Sequence, residues 1–220
     1  MTTREVMLKE IREANRRGGV GVASEAAADA AWGEIPRGYT RVGLKDAEAR
    51  LELLEDRLRD YDAHVVRVGV DEIAGMVGAM LRERGKRRLV VPAGMADGVL
   101  PDGFEFVVDD GLSAVEIDGF DGVVSESTLA IAETGTLVLQ SVAGQGRRVL
   151  SLVPDYHLCL VQASEVVETV PEAMDWIRRR PAFATTFISG PSATADIEMT
   201  RIKGVHGPRF LDVIVVTDVG

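Results

Sequence analysis

Cysteine occurs once in the 220 residues, at Cys159. A single thiol cannot build an internal disulfide framework, nor a four-cysteine cradle for an iron–sulfur cluster within this chain. Its neighbours, YHLCLVQ, read as a buried strand in which the thiol is a small hydrophobe. Histidine is nearly as scarce. His64, His157 and His206 are not at helical ligand spacing, which argues against a His-rich metal site. Basic residues are outnumbered, 25 Lys and Arg against 35 Asp and Glu, for a net charge of −10. Nucleic-acid affinity comes largely from neutralising phosphates, so this balance argues against a general nucleic-acid binder. No apolar run reaches the roughly 18 residues of a membrane span. The N-terminal MTTREVMLKEIREANRRGG alternates charge and lacks the apolar core of a signal peptide. The expectation is a soluble cytoplasmic protein. Full dinucleotide-binding, Walker A, zincin, C-x-x-C and nucleophile-elbow signatures are all missing.

What is present is a globular composition, 46% hydrophobic, in a chain long enough to bury a core. Met7, Leu8, Ile11 and Ala14 lie near one face of a helix that ends at Gly18-Gly19. Residues 18–43, rich in Gly and Ala, read as a long connection or arm. From Asp46 the helical period is clear in Ala47, Leu51, Leu54, Leu58 and Tyr61. Strand-like and helical runs then alternate: HVVRV, DEIAGMVGAMLRERG, RRLVVPAG, FEFVVDD, GFDGVVSES. VLSLVPD and YHLCLVQ read as strands, and VPEAMDWIRRR as a helix with Pro171 in its first turn. FATTFISG, TADIEMTRIKG and RFLDVIVV complete the series as strand, helix and strand. Such alternation predicts an α/β domain with a mainly parallel sheet. The strands clustered between 130 and 162 lack intervening helices and predict an antiparallel excursion.

Three polar loops follow inferred strands. Glu133-Thr134-Gly135-Thr136 is either a turn with a solvated Glu or one wall of a polar pocket, with Glu133 as a candidate catalytic carboxylate. Gly144-Gln145-Gly146-Arg147-Arg148 lets a ligand approach the backbone, and Arg147 is the candidate clamp for a carboxylate or phosphate. In SGPSATADIE, Gly190 and Pro191 break a strand, and Ser192 or Thr194 caps the expected helix. Asp196 sits in its first turn. Capping alone explains that stretch as well as an anion site does. Beyond it, His206-Gly207-Pro208 forms a rigid turn that carries Arg209 to the last strand. Because α/β sheets bind ligands beyond the carboxyl ends of their strands, the three loops together predict a site there.

AIAETGTLVL, GQGRRVLSLVPDYHLCLV, ISGPSATADIE and GVHGPRFLDVIVV occur in that order. Together they closely resemble the lactate utilisation protein C family, whose members consist of the LUD domain. The resemblance is strong over residues 120–220 and rests on element pattern alone before that. It implies a Rossmann-like three-layer α/β/α fold similar to NagB/RpiA/CoA-transferase-like proteins, with residues 1–43 as an N-terminal helix and arm and 44–220 as the LUD domain. Glu133, Thr134, Gly135, Thr136, Gly190, Ser192, Thr194, Asp196, Glu198, His206 and Gly207 occupy the family's motif positions. The family implies two iron–sulfur partner proteins in the oxidation of L-lactate to pyruvate, with the clusters in the partners and no cofactor in this chain. An acyl- or CoA-transferase-like or sugar-phosphate-isomerase-like enzyme is the alternative, with Glu133 or Glu198 as its carboxylate nucleophile or base and Arg147 or Arg209 as its anion clamp. A small-molecule sensor is the other.

Overall fold

The structure, a computed structural model, describes residues 2–17, 24–181, 183–194, 202–203 and 207–217. Contacts divide the chain into Met1–Tyr39 and Thr40–Gly220. In the first unit α1 (Thr3–Arg17) buries none of its side chains. The stretch read as a long connection contains a second helix, α2 (Glu25–Glu34), because the Ser24 hydroxyl accepts from the Ala27 amide and caps an Ala-rich run.

The second unit begins with α3 (Ala47–Asp60). Asp46 caps it at the Ala49 amide, 2.9 Å away, and Leu51, Leu54 and Leu58 line its buried face. Each fully buried leucine contributes about 1.5–3 kcal/mol. There follow β1 (His64–Gly69), α4 (Ile73–Glu83), β2 (Arg88–Val91), β3 (Glu105–Val108), α5 (Ala114–Asp118), β4 (Gly122–Glu126), β5 (Leu129–Ile131), β6 (Thr136–Gln140) and β7 (Tyr156–Gln162). The chain closes with β8 (Val166–Val167), α6 (Val170–Arg178), β9 (Thr185–Ser189), β10 (Ala193–Thr194), β11 (Ile202–Lys203) and β12 (Phe210–Thr217).

Six strands form one sheet in the order β1-β12-β7-β4-β2-β3, and every pairing in it is parallel. Its central strands are buried on both faces, so β12 and β7 read as near-continuous apolar runs. One face packs Leu89, Val91, Leu158, Leu160, Ile214 and Val216 against α4. The other packs Cys159, Val161, Leu211, Val213 and Val215 against α3 and a second sheet. That second sheet is mixed, in the order β8-β5-β6-β9, with β6 antiparallel to both β5 and β9. Its β5–β6 pair is the antiparallel excursion expected between 130 and 162, whereas β7 at the end of that stretch joins the parallel sheet. Val138, Leu129 and Ile131 on its far side are covered by Ala173 and Trp176 of α6.

Two expected elements differ. VLSLVPD is no strand: Arg148–Ser151 is a 3-10 turn, and Leu150 plugs into a cluster with Val90, Ile117 and Val123. Its apolar residues are spaced for a strand, yet they serve as a lid over the sheet face. The helix expected over TADIEMTRIKG is replaced at both of its described ends by a ribbon in which β10 pairs antiparallel with β11.

Asp212, in central β12, has only 1% of its surface exposed. It accepts from Arg84 at 3.1 and 2.6 Å and from the Tyr156 hydroxyl at 2.9 Å. Burial beside this carboxylate pushes the Tyr156 phenol well above its usual range. The triad pins α4 to the two central strands.

Candidate functional site

The amino ends of β7 and β12 lie side by side, because Phe210 pairs with Tyr156 and Leu211 with His157. Over them pass the carboxyl end of β9 and the segment that follows it. A cavity of about 220 Å³ opens between these layers, lined by Arg148, Ser151, His157, Leu211, Phe187 through Ala193, and Gly207-Pro208. The wall is closed by a backbone bond from the Ser192 amide to the Pro208 carbonyl, 2.8 Å. Gly190 adopts φ +77°, and a Cβ there would lie 2.4 Å from the Tyr61 Cβ. Both the turn and the packing therefore require glycine.

His157 is the polar floor of the cavity. It is 1% exposed, and its Nε2 lies 2.8 Å from the Ser125 hydroxyl oxygen. Its Nδ1 is buried and has no hydrogen-bond partner among the described residues. Burial, with the Arg148 charge acting in the same direction, lowers its pKa to about 4, so the ring is neutral. Cys159, one pleat further along the same face, lies 3.9 Å from the Ser125 oxygen. Burial pushes its thiol up to about 12, so it is inert rather than nucleophilic. Arg148 donates to the Ser151 carbonyl at 3.1 Å and to its hydroxyl at 2.8 Å. No carboxylate among the described residues pairs with it. A neutral imidazole, a guanidinium and several hydroxyl and amide groups can bind a small anion with a polar substituent.

The neighbouring arginine goes elsewhere. Arg147 forms a bidentate pair with Asp109 at 2.8 and 2.6 Å and donates to the Leu112 carbonyl at 2.8 Å. The guanidinium beside Asp109 holds that carboxyl below the usual carboxylate range. This pair borders a second cavity, of about 550 Å³, beyond the carboxyl ends of β2 and β3, lined also by Pro92, Gly94, Ser141 and Gly146. Gly144 serves as a strut there: its amide donates to the Ala93 carbonyl and its carbonyl accepts from Glu126. Arg147 thus belongs to the carboxyl edge of the sheet, and Arg148 to the amino edge.

Other sequence candidates have definite places. Glu133 is exposed at the β5–β6 turn and lines neither cavity. Gly135, at φ +56°, packs on the backbone of Arg57 at the end of α3. Thr136 connects that turn to the cavity wall, since its hydroxyl lies 2.7 Å from those of both Thr134 and Ser189. Arg209 is exposed and paired with Asp155, at 3.0 Å for one of its two bonds. Thr194 lies in β10, and Asp196, Glu198 and His206 lie outside the described residues. Gly190, Ser192 and Gly207 are the sequence candidates that line the cavity itself. Arg148, Ser151, Ser125 and His157 were not among them. The available signal was a histidine inside an apolar strand, since a buried polar residue is more informative than a buried leucine.

A model of the LUD domain matches residues 115–216. The cavity's lining residues all fall inside that span. Lactate utilization protein C of Deinococcus radiodurans is 42% identical over 174 residues, which cover 76% of this chain and 81% of that protein. The chain belongs to the lactate utilization protein C family. Another member, lactate utilization protein C of Bacillus pumilus, is 29% identical over 189 residues, 76% of this chain and 78% of that one. The crystal structure of a DUF162 family protein from Deinococcus radiodurans superposes with a TM-score of 0.69 at 38% identity, over 79% of this chain and 99% of that one. Among the described residues of this family member, no group of three or more His, Cys, Asp or Glu side chains is arranged to hold a metal ion. None of its described helices is long and apolar enough to cross a membrane.

Proposed function

We propose that this protein is a cytoplasmic, cluster-free accessory component of an iron–sulfur L-lactate oxidation system, and that the cavity beside Arg148 binds a small carboxylate. Residues 44–220 form the LUD domain of this reading. The observation that carries it is the meeting of Arg148, the buried His157 and the Ser189–Ala193 wall around one small cavity. The names of its relatives support the pathway. The single cysteine supports clusters housed in partner proteins. A guanidinium with no carboxylate partner among the described residues supports an anionic ligand, since a charge-assisted bond contributes about 1.5–3 kcal/mol.

Calorimetric titration with short carboxylates tests the site. Arg148→Gln should weaken binding at least tenfold while costing no more than about 2 kcal/mol of stability, from the lost bonds to Ser151. Equal affinity in the variant would end the assignment of Arg148. Reconstitution tests the pathway: lactate oxidation at full rate by the cluster-bearing partners alone would refute an obligatory role.

A further inference from the structure

The second cavity lies where the strand order of the parallel sheet reverses. After β2 the chain places β3 on one side of it and then β4 on the other. Open α/β sheets bind ligands outside the carboxyl ends of their strands at such a point. Residues 92–94 after β2, 109–111 after β3, and 141–143 and 146–147 after β6 line the cavity there. Its volume of about 550 Å³ falls within the roughly 300–1,000 Å³ of pockets for small organic ligands, whereas the cavity of about 220 Å³ falls below that range. The two cavities share no lining residue. The walls of the larger one are tied to one another. The Gly144 amide donates to the Ala93 carbonyl at 2.9 Å, and the Glu126 carboxylate accepts from the Ala96 amide at 2.9 Å. A Cβ on Gly94 would lie 2.8 Å from that of Ala143, so these two loops pack as closely as glycine allows. Asp109, its side chain 4% exposed, holds the third segment through two bonds to Arg147. A pocket fixed in this way loses little freedom when a ligand enters.

We infer that this cavity binds a ribonucleoside, its ribose diol on Asp110 and its base against the Arg147 guanidinium. Arg147 lines the cavity with its side chain half exposed, and its Nε and Nη2 are engaged by Asp109 and the Leu112 carbonyl. What it still offers a ligand is the flat face of the group and Nη1. With its charge cancelled by Asp109 and its plane held by the bidentate pair, it is a poor clamp for an anion and a good plate for a planar ring. Ala93, Gly94, Val142 and Ala143 add a small, mostly apolar surface of the kind a base covers. Asp110 is exposed at the same wall, and no group among the described residues donates to it. Its two oxygens accept from two neighbouring hydroxyls, the role of the acidic residue that receives the ribose in dinucleotide folds. Phosphate has no comparable place. The net charge of the wall is that of Asp110, no helix starts in the loop between β2 and β3, and α5 beyond β3 is only five residues long. A free sugar would leave the apolar part of the wall uncovered, so base and sugar together fit it best.

The experiment is calorimetric titration of the full chain with adenosine, guanosine, cytidine and uridine, beside ribose and, for each nucleoside that binds, its 2′-deoxy form and its 5′-monophosphate. At least one ribonucleoside should bind, its 2′-deoxy form at least tenfold more weakly and ribose weaker still. The monophosphate should bind no more tightly than the nucleoside, which separates a nucleoside pocket from a phosphate site. Asp110→Ala, a change at an exposed side chain, should bring the ribo- and deoxyribonucleoside to within about threefold of each other. Arg147→Lys keeps a cation beside Asp109 but removes the plate, and should weaken the nucleoside at least fivefold while preserving its preference over the deoxy form. If that variant fails to fold, the Asp110 variant decides. Failure of all four ribonucleosides to bind would overturn the inference. So would equal binding of the deoxy form by the native protein, an unchanged preference in Asp110→Ala, ribose as tight as the nucleoside, or a tenfold gain from the phosphate.

Discussion

Replacing His157 by Gln should alter how stability depends on pH, in a window where few other groups titrate. The ring is buried and neutral, with its pKa lowered to about 4 from an ordinary 6.5. Between these values the unfolded chain binds a proton that the folded chain refuses, so stability rises with pH across the interval and falls as acid is added. Over the whole interval the linkage is worth about 3 kcal/mol, and between pH 7 and pH 5 about 2 kcal/mol. The carboxylates, His64 and His206 are common to both proteins and cancel in the difference. Urea unfolding of the native protein and of His157→Gln at half-unit steps from pH 5 to 7.5 therefore isolates this one ring. The advantage of the native protein over the variant should shrink by about 2 kcal/mol on going from pH 7 to pH 5. Whatever the substitution costs in packing shifts the curve without tilting it. A difference constant within about 0.5 kcal/mol would show that His157 is solvated or partnered, contrary to its burial.

Two further outcomes test the frame around the cavity. Asp212→Ala leaves Arg84 and the Tyr156 hydroxyl without their shared acceptor and should cost about 3 kcal/mol in denaturant unfolding; a loss below 1 kcal/mol would show that the triad does not pin α4. Gly190→Ala combines a left-handed backbone with a clash against Tyr61 and should cost about 2 kcal/mol and weaken carboxylate binding. Unchanged stability there would mean that the turn relaxes freely.

Periodicity made part of this fold readable. Leu51, Leu54 and Leu58 mark α3 because their burial repeats with the helical turn, and Pro171 marks the first turn of α6, where the structure adds a Thr169–Glu172 capping box. The alternation of strand-like and helical runs predicted the mainly parallel sheet, and β7 and β12 are largely apolar because both of their faces are covered. VLSLVPD misled because a 3-10 turn with one plugging leucine has the composition of a strand. The site was less legible still. Arg147 and Arg148 are chemically identical neighbours, and what separates them is Asp109, 38 positions earlier, which captures one and leaves the other. No local pattern carries that distance. The carboxyl-end rule pointed to the strand ends near Arg147, whereas the cavity holding His157 lies at the amino ends of β7 and β12. Thr136 was legible as part of its turn, but its link to Ser189 arises only when β6 pairs with β9.

The position of β12 has a consequence for synthesis. It is the last of the described strands, yet it sits in the sheet interior between β1 and β7, and the residues just before it form one wall of the cavity. A nascent chain that has emerged only as far as β9 carries two strands with open backbone edges where β12 belongs. Long-range parallel pairing is slow to form, and unpaired edges recruit other chains. During translation this molecule therefore passes through a stage when it is prone to associate wrongly and has no pocket to fill. Insertion of one late segment ends both conditions together, which makes ligand binding a direct report that the sheet has closed.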